Sequence, residues 1–119
     1  MDNTYTGIER RAHKRLRMNC TVIYRVNEPV STRFIMQGKD VEARMLDVSQ
    51  GGMAMVTNYD IPVATVLSMR FTLLKVDKEI INFSGPLQVT GEVRSNIPLE
   101  KDEHRLGINF TKIRRVNVS

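Results

Sequence analysis

The chain has 119 residues, a formal net charge of +5, 41% hydrophobic and 26% charged residues, and one cysteine. This length predicts one domain with a single core, and the composition excludes a collagen-like, mucin-like or wholly disordered chain. One cysteine excludes an intramolecular disulfide framework and a cysteine-rich zinc site. No apolar run resembles a secretory signal or approaches the ~20 residues that span a bilayer, so we expect a soluble, cytoplasmic protein.

Most of the chain predicts short strands. Polar residues 1–8 are expected to be disordered, and a basic segment, 9–17, follows them. Turn residues separate runs of β-branched, aromatic and alternating apolar residues, which predict strands at Cys20–Val26, Arg33–Met36, Val41–Leu46, Met53–Thr57, Val66–Leu74, Ile80–Ser84, Leu87–Ser95 and Arg105–Thr111. Asp47–Gly52 and Asn96–Glu103 are interpreted as loops. No long segment has helical periodicity, so we expect an all-β barrel or sandwich.

Two of these strands show a clear alternation of apolar and polar residues. In Val66–Leu74, the side chains predicted to face the core are Leu67, Met69, Phe71 and Leu73. In Val41–Leu46, those on one face are Val41, Ala43 and Met45, and the opposite face carries Glu42, Arg44 and Leu46. Such alternation is typical of a half-buried antiparallel strand.

The residue types give little support for catalysis or metal binding. His13 and His104 are far apart in the sequence, and no metal-ligand spacing surrounds either of them. Cys20 lies in a predicted strand, where packing as a small apolar residue is the default. A nucleophile, a base and an orienting acid must converge in a catalytic site, and the sequence indicates no such group. We therefore expect no enzyme, no metal and no cofactor.

The basic segment points to an anionic partner. Five of the nine residues in Glu9–Arg17 are Arg or Lys, and four of those five are arginines. Arg11 and Arg15 are four residues apart, and Arg10 precedes them. The planar guanidinium binds phosphate oxygens or a guanine edge bidentately and stacks on bases. The alternative is a solvated, disordered tail.

The loop Asp47–Gly52 is the second candidate for ligand binding. The Asp47 carboxylate can accept hydrogen bonds from guanine N1–H and N2–H₂. Ser49 can donate to a phosphate or hold the turn, and Gly51 and Gly52 permit a positive φ and a close approach of the backbone to a ligand. The alternative is a purely structural turn between two strands, in which Asp, Ser and Gly are common.

Together these motifs resemble the PilZ family. An R-x-x-x-R motif (Arg11, Arg15) precedes a D-x-S-x-x-G motif (Asp47, Ser49, Gly52) on an all-β pattern. The segments Glu9–Arg11, Gly91–Arg94 and Leu106–Phe110 are also similar to that family, so the resemblance extends from about Glu9 to Phe110.

The resemblance implies a six-stranded antiparallel PilZ-type β-barrel, at 18–119, that binds cyclic di-GMP beneath a flexible arm, 9–17. Arg11 and Arg15 would contact phosphates and guanine Hoogsteen edges, and Asp47 would read a Watson–Crick edge. Ser49, Gly51 and Gly52 would shape and line the pocket. Arg10 suggests a second, intercalated ligand molecule.

The resemblance also implies how the protein would act. It would be a receptor that relays cyclic di-GMP to an effector protein by ordering of its arm, in motility, adhesion or biofilm control. Family members commonly end in a helix packed on the barrel, whereas only Lys112–Ser119 follow the last strand, so this helix is expected to be short or missing. An uncovered barrel mouth would favour a homodimer.

Two alternatives stay open at this point. One is a PilZ-like adaptor that works by protein contact without a ligand, against which the intact motifs argue. The other is a small basic barrel that binds single-stranded nucleic acid, for which few aromatic stacking platforms are available.

Overall fold

Six antiparallel strands close into a barrel in the computed structural model, which describes residues 14–116. The strands are β1 (Arg15–Glu28), β2 (Val41–Ser49), β3 (Gly52–Thr57), β4 (Val66–Leu73), β5 (Gly85–Pro98) and β6 (His104–Arg115). Their order around the barrel is β1-β2-β3-β6-β5-β4. The predicted all-β, six-stranded barrel is therefore confirmed, and no helix follows β6 within the described residues.

Alternation of side chains fills the interior of the barrel. The four apolar residues predicted to face the core from β4, Leu67, Met69, Phe71 and Leu73, are all buried. Methionine and aliphatic side chains supply most of the remaining core, and Tyr24 adds a buried aromatic ring. The Tyr24 hydroxyl and the Thr57 hydroxyl are hydrogen-bonded at 2.7 Å, so this buried polar group has a partner.

The predicted strand Arg33–Met36 is wrong, because a short helix, α1 (Val30–Ile35), occupies this segment. Pro29 precedes the helix, and the positive φ of Gln37 and Gly38 ends it. The helix buries none of its residues, and Phe34 and Ile35 are 81% and 74% exposed. The run that predicted a short strand is therefore an exposed helix on the surface.

The predicted strand Ile80–Ser84 is also wrong, since this segment pairs with no strand. The main-chain carbonyl of Asp77 accepts hydrogen bonds from the N–H groups of Ile80 and Ile81, which makes a turn. Ile81 and Phe83 nevertheless belong to the core. The loop between β4 and β5, residues 74–84, thus inserts two apolar side chains at one end of the barrel, and we call it the plug loop.

An irregularity in β2 determines the direction in which Asp47 faces. Ala43 and Met45 are buried, so regular alternation would also turn residue 47 inward. Relative to β3, one extra residue lies between Met45 and Asp47, because Met45 opposes Met55 whereas Asp47 opposes Ala54. Alternation resumes one residue later, with Val48 fully buried and Asp47 partly exposed. A β-bulge of this kind redirects a side chain without altering the core around it.

Candidate functional site

A row of directly opposed residues crosses five strands next to this bulge. Going around the barrel from β1 to β5, the row consists of Arg17, Asp47, Ala54, Gly107 and Ser95. The last three residues of this row, Ala54, Gly107 and Ser95, have a small side chain or none. The result is a low surface bordered by charged groups, which suits contact with a flat ligand.

Asp47 is held between two arginines at this surface. Its Oδ1 lies 2.6 Å from Nη1 of Arg15, and its Oδ2 lies 3.5 Å from Nη2 of Arg105. The Asp47 side chain is 18% exposed, so the ion pairs are partly shielded from water. A carboxylate offers about four lone-pair positions. Asp47 therefore keeps acceptor capacity for further donors.

The two arginines have donors that the described residues leave without partners. The Nε atoms of Arg15 and Arg105 are buried, and neither has a hydrogen-bond partner among residues 14–116. A buried donor without an acceptor costs about 1–3 kcal/mol. A ligand with phosphate or carbonyl oxygens would relieve this cost once the side chains move to expose the two N–H groups.

The motif serine holds the turn between β2 and β3. Because β2 extends to Ser49 and β3 starts at Gly52, the predicted loop contracts to a two-residue turn, Gln50–Gly51. The Ser49 hydroxyl is buried, accepts from the N–H groups of Gly51 and Gly52 at 3.3 and 3.1 Å, and lies 3.2 Å from the Gly52 carbonyl. This agrees with the structural role that was considered for the loop.

Gly51 and Gly52 do not adopt the positive φ that a glycine permits. Gly38 and Gly85 are the glycines with positive φ among the described residues. Gly52 has a different requirement, since a Cβ atom there would lie 2.2 Å from the main-chain oxygen of Ile108. The absence of a side chain at Gly52 thus allows β3 and β6 to approach each other beside the site.

A cavity lies over the row of small residues. Its volume is about 230 Å³, and the residues that line it are Arg15, Ala54, Ser95, Ile97, Arg105 and Gly107. A larger cleft of about 580 Å³ lies beside α1, at the opposite end of β1, and none of the motif residues lines it. The smaller cavity is the relevant one, because it combines two guanidinium groups with the Asp47 surface.

The structure joins the two predicted motifs. Arg15 and Asp47 are in contact, and Ser49, Gly51 and Gly52 lie at the turn between β2 and β3 that begins three residues after Asp47. Arg10 and Arg11 lie outside the described residues.

Sequence reasoning missed Arg105, Gly107 and Ser95 as members of the same surface. Leu106 and Ile108 are apolar and buried, so their alternation could have shown that Arg105 and Gly107 face outward. The proximity of β6 to Asp47, however, depends on the strand order.

The partly buried Cys20 and the buried Tyr24 show no sign of reactivity. Burial raises the pKa of the Cys20 thiol, which therefore stays protonated near neutral pH. Burial also raises the pKa of Tyr24 to about 12, although its hydrogen bond with Thr57 acts in the opposite direction. Among residues 14–116, no three His, Cys, Asp or Glu side chains are grouped so that they could hold a metal ion, and no helix is long and apolar enough to cross a membrane.

Comparison with known proteins identifies the family. The sequence matches the PilZ domain family over residues 9–119, so the chain belongs to this family. Among solved structures, it is similar to the PilZ domain of YcgR from Escherichia coli, a structure with cyclic di-GMP. The TM-score is 0.54 at 14% identity, and the match covers 85% of this chain and 77% of that chain. This likeness shows a shared fold. A search of curated proteins finds no match.

Proposed function

We propose that this PilZ domain is a cyclic di-GMP receptor whose ligand lies on the outer face of β2, β3 and β6. The observation that carries the proposal is the placement of Asp47 between Arg15 and Arg105 beside a low, small-residue surface. Membership of the PilZ family and the similarity to a domain solved with cyclic di-GMP support the same ligand. No catalytic step follows from this arrangement, and the proposed activity is binding alone.

The residues have complementary tasks in this proposal. Cyclic di-GMP carries two phosphate charges and two guanines. Arg15 and Arg105 supply guanidinium groups for phosphates and for the N7 and O6 atoms of guanine. Asp47 accepts from the N1–H and N2–H₂ groups of a guanine. Charge-assisted hydrogen bonds of this kind contribute about 1.5–3 kcal/mol each, which accounts for micromolar affinity, about 8 kcal/mol.

The N-terminal arm completes the proposed site. Arg11 would add contacts to phosphate and guanine, and Arg10 would stack on a second ligand molecule. The arm, 9–17, overlaps the start of β1, since Arg15 is the first residue of that strand. Ligand contact at Arg15 would therefore order the preceding residues, and an effector protein would recognise the ordered arm. Ordering costs entropy, which reduces the affinity that the contacts provide.

Isothermal titration calorimetry with cyclic di-GMP tests the proposal, with GTP as a control ligand. We expect wild-type binding in the low micromolar range or tighter, near two ligands per chain, and a loss of at least about tenfold, or 1.4 kcal/mol, in each of Arg15→Ala, Asp47→Ala and Arg105→Ala. Arg25→Ala is the matched control, because Arg25 also pairs with an aspartate, Asp40, but away from the site.

Three results would contradict the proposal. If wild type releases no heat and shows no binding, the protein is not a receptor for this ligand, and an adaptor that works by protein contact becomes the better hypothesis. If Arg25→Ala weakens binding as much as Arg15→Ala, general positive charge rather than this site attracts the ligand. A steep loss of affinity with salt, without preference for guanine, would favour nonspecific nucleic-acid binding.

A further inference from the structure

The two-residue turn Gln50–Gly51, which we call the motif turn, is connected to the plug loop by the Gln50 side chain. Its Nε2 donates to Oδ1 of Asn82 at 2.7 Å, and the main-chain N–H of Asn82 donates to Oε1 of Gln50 at 2.9 Å. Both polar atoms of the Gln50 amide are thus hydrogen-bonded to Asn82, and while both bonds are formed they hold the motif turn and the plug loop in one relative orientation. Within residues 14–116, these are the hydrogen bonds that join the Gln50–Gly51 turn to the plug loop.

The two hydrogen bonds between Gln50 and Asn82, which we call the clamp, join two segments that also contact other parts of the barrel. Asn82 lies between Ile81 and Phe83, which are buried in the core. The ring of Phe83 meets the ring of Phe110 edge-on, with centroids 6.2 Å apart. The N–H of Phe110 in turn donates to the carbonyl of Gly51 at 2.8 Å. The turn, the plug loop and β6 therefore contact one another pairwise at this end of the barrel.

We propose that Gln50 is a positioning residue that couples ligand binding at Asp47 to the order of the plug loop, residues 74–84. The inference rests on the proposed function and adds a second responsive surface, separate from the N-terminal arm. Gln50 follows Ser49 directly, so a ligand that restricts the motif turn also restricts the Gln50 main chain. This favours the orientation in which the amide holds Asn82.

The clamp suits a switch because it is accessible to water. Both of its hydrogen bonds are exposed, so water competes for the same donors and acceptors and the bonds open readily in the free protein. A ligand that prefers the closed arrangement shifts this equilibrium. The contact between Phe83 and Phe110 is apolar and does not involve Gln50, so loss of the amide bonds leaves the barrel core in place.

Amide hydrogen exchange, measured by mass spectrometry on peptides that cover the plug loop, tests the coupling. Wild type, Asn82→Ala and Gln50→Ala are compared with and without cyclic di-GMP, and calorimetry on the same samples gives the fraction bound. We expect ligand to slow exchange in the wild-type loop about fivefold. Gln50→Ala, which removes both hydrogen bonds, should lose this effect at equal occupancy. Asn82→Ala and Gln50→Glu should each keep part of it, because the main-chain N–H of residue 82 still donates to the side chain at position 50.

Gln88→Ala is the matched control. The Gln88 side chain also forms an exposed hydrogen bond, with Arg114, but it lies on β5 away from the turn. This variant should keep the wild-type response. The inference is overturned if ligand binds to wild type without slowing exchange in the plug loop, or if both clamp variants respond as wild type does. Absence of binding to wild type would instead refute the proposed function, together with the coupling.

The free protein gives an independent readout. Without ligand, exchange in the plug loop should be faster in Gln50→Ala, which lacks both hydrogen bonds of the clamp, than in wild type, while exchange in β4 and β5 stays the same. Equal loop exchange in these two proteins would show that the clamp does not restrain the loop, which also overturns the inference.

Discussion

Replacing Gly52 with alanine separates a structural role of the motif glycine from a role in ligand contact. The added Cβ would lie 2.2 Å from the oxygen and 3.3 Å from the carbon of the Ile108 carbonyl. Both atoms belong to the main chain of β6, so no side-chain rotation relieves the overlap. The two strands would have to separate by roughly 1 Å to reach an ordinary van der Waals distance.

Such a separation would weaken the hydrogen bonds between β3 and β6 on both sides of Gly52, including the 2.8 Å bond from Phe110 N–H to the Gly51 carbonyl. Two lost hydrogen bonds and poorer packing cost about 2–4 kcal/mol in the free energy of unfolding. Urea denaturation followed by circular dichroism measures this loss without any ligand.

Gly38→Ala is the control for the alanine substitution at Gly52. Gly38 has a φ of +60, and a Cβ there would have no atom within 4 Å. The control variant should therefore lose only about 1–2 kcal/mol, from the left-handed backbone. A Gly52→Ala protein as stable as wild type would refute the close-approach argument and would leave ligand contact as the reason for the glycine.

Three further predictions concern the core and the site. Because the pKa of Tyr24 is raised to about 12 from 10.0, wild type should lose stability between these pH values at up to about 1.4 kcal/mol per pH unit. Tyr24→Phe should flatten this part of the pH–stability curve, and an equal slope in both proteins would contradict the assignment of this raised pKa to Tyr24. Gly107→Ala places a Cβ 2.4 Å from the Ser95 hydroxyl, which can rotate away, so this variant should lose under about 1 kcal/mol of stability. It should still weaken the binding of cyclic di-GMP, measured by calorimetry, about fivefold. Unchanged affinity would exclude this part of the surface from the site. Ile81→Ala should lower the urea unfolding free energy by about 2–4 kcal/mol, and a loss below about 1 kcal/mol would show that the plug loop is not part of the core.

The parts of the fold that sequence reasoning predicted correctly depend on local alternation. In β4, Leu67 and Phe71 face the core because neighbouring side chains of a strand point to opposite sides, and the sequence displays this pattern directly. The same reasoning failed at Phe34 and Ile35, since an apolar run does not show whether anything covers it. It also failed at Ile81, which is buried in a loop that pairs with no strand.

The candidate site was predictable only where its residues lie in recognisable sequence motifs, because the remaining contacts depend on strand pairing. Arg15 and Asp47 carry recognisable spacings, and the structure brings them into contact. Arg105 contacts Asp47 only because β6 lies beside β3 in the barrel, a long-range pairing that leaves no local pattern. The outward orientation of Asp47 was likewise hidden, because regular alternation from Ala43 and Met45 would have turned it inward.

The bulge in β2 makes the orientation of Asp47 depend on chain length as well as on residue identity. Met45 opposes Met55 and Asp47 opposes Ala54, so Leu46 is the extra residue. Removal of Leu46 would restore regular pairing with β3 and leave Asp47 opposite Ala54, with the carboxylate still facing outward. Insertion of one residue into β3 between Ala54 and Met55 would instead give Leu46 a partner, and regular alternation from Met45 would turn the carboxylate toward the apolar interior, with every motif letter retained. A relative with intact motifs and one extra residue at this point of β3 would be expected to keep the barrel and lack the site.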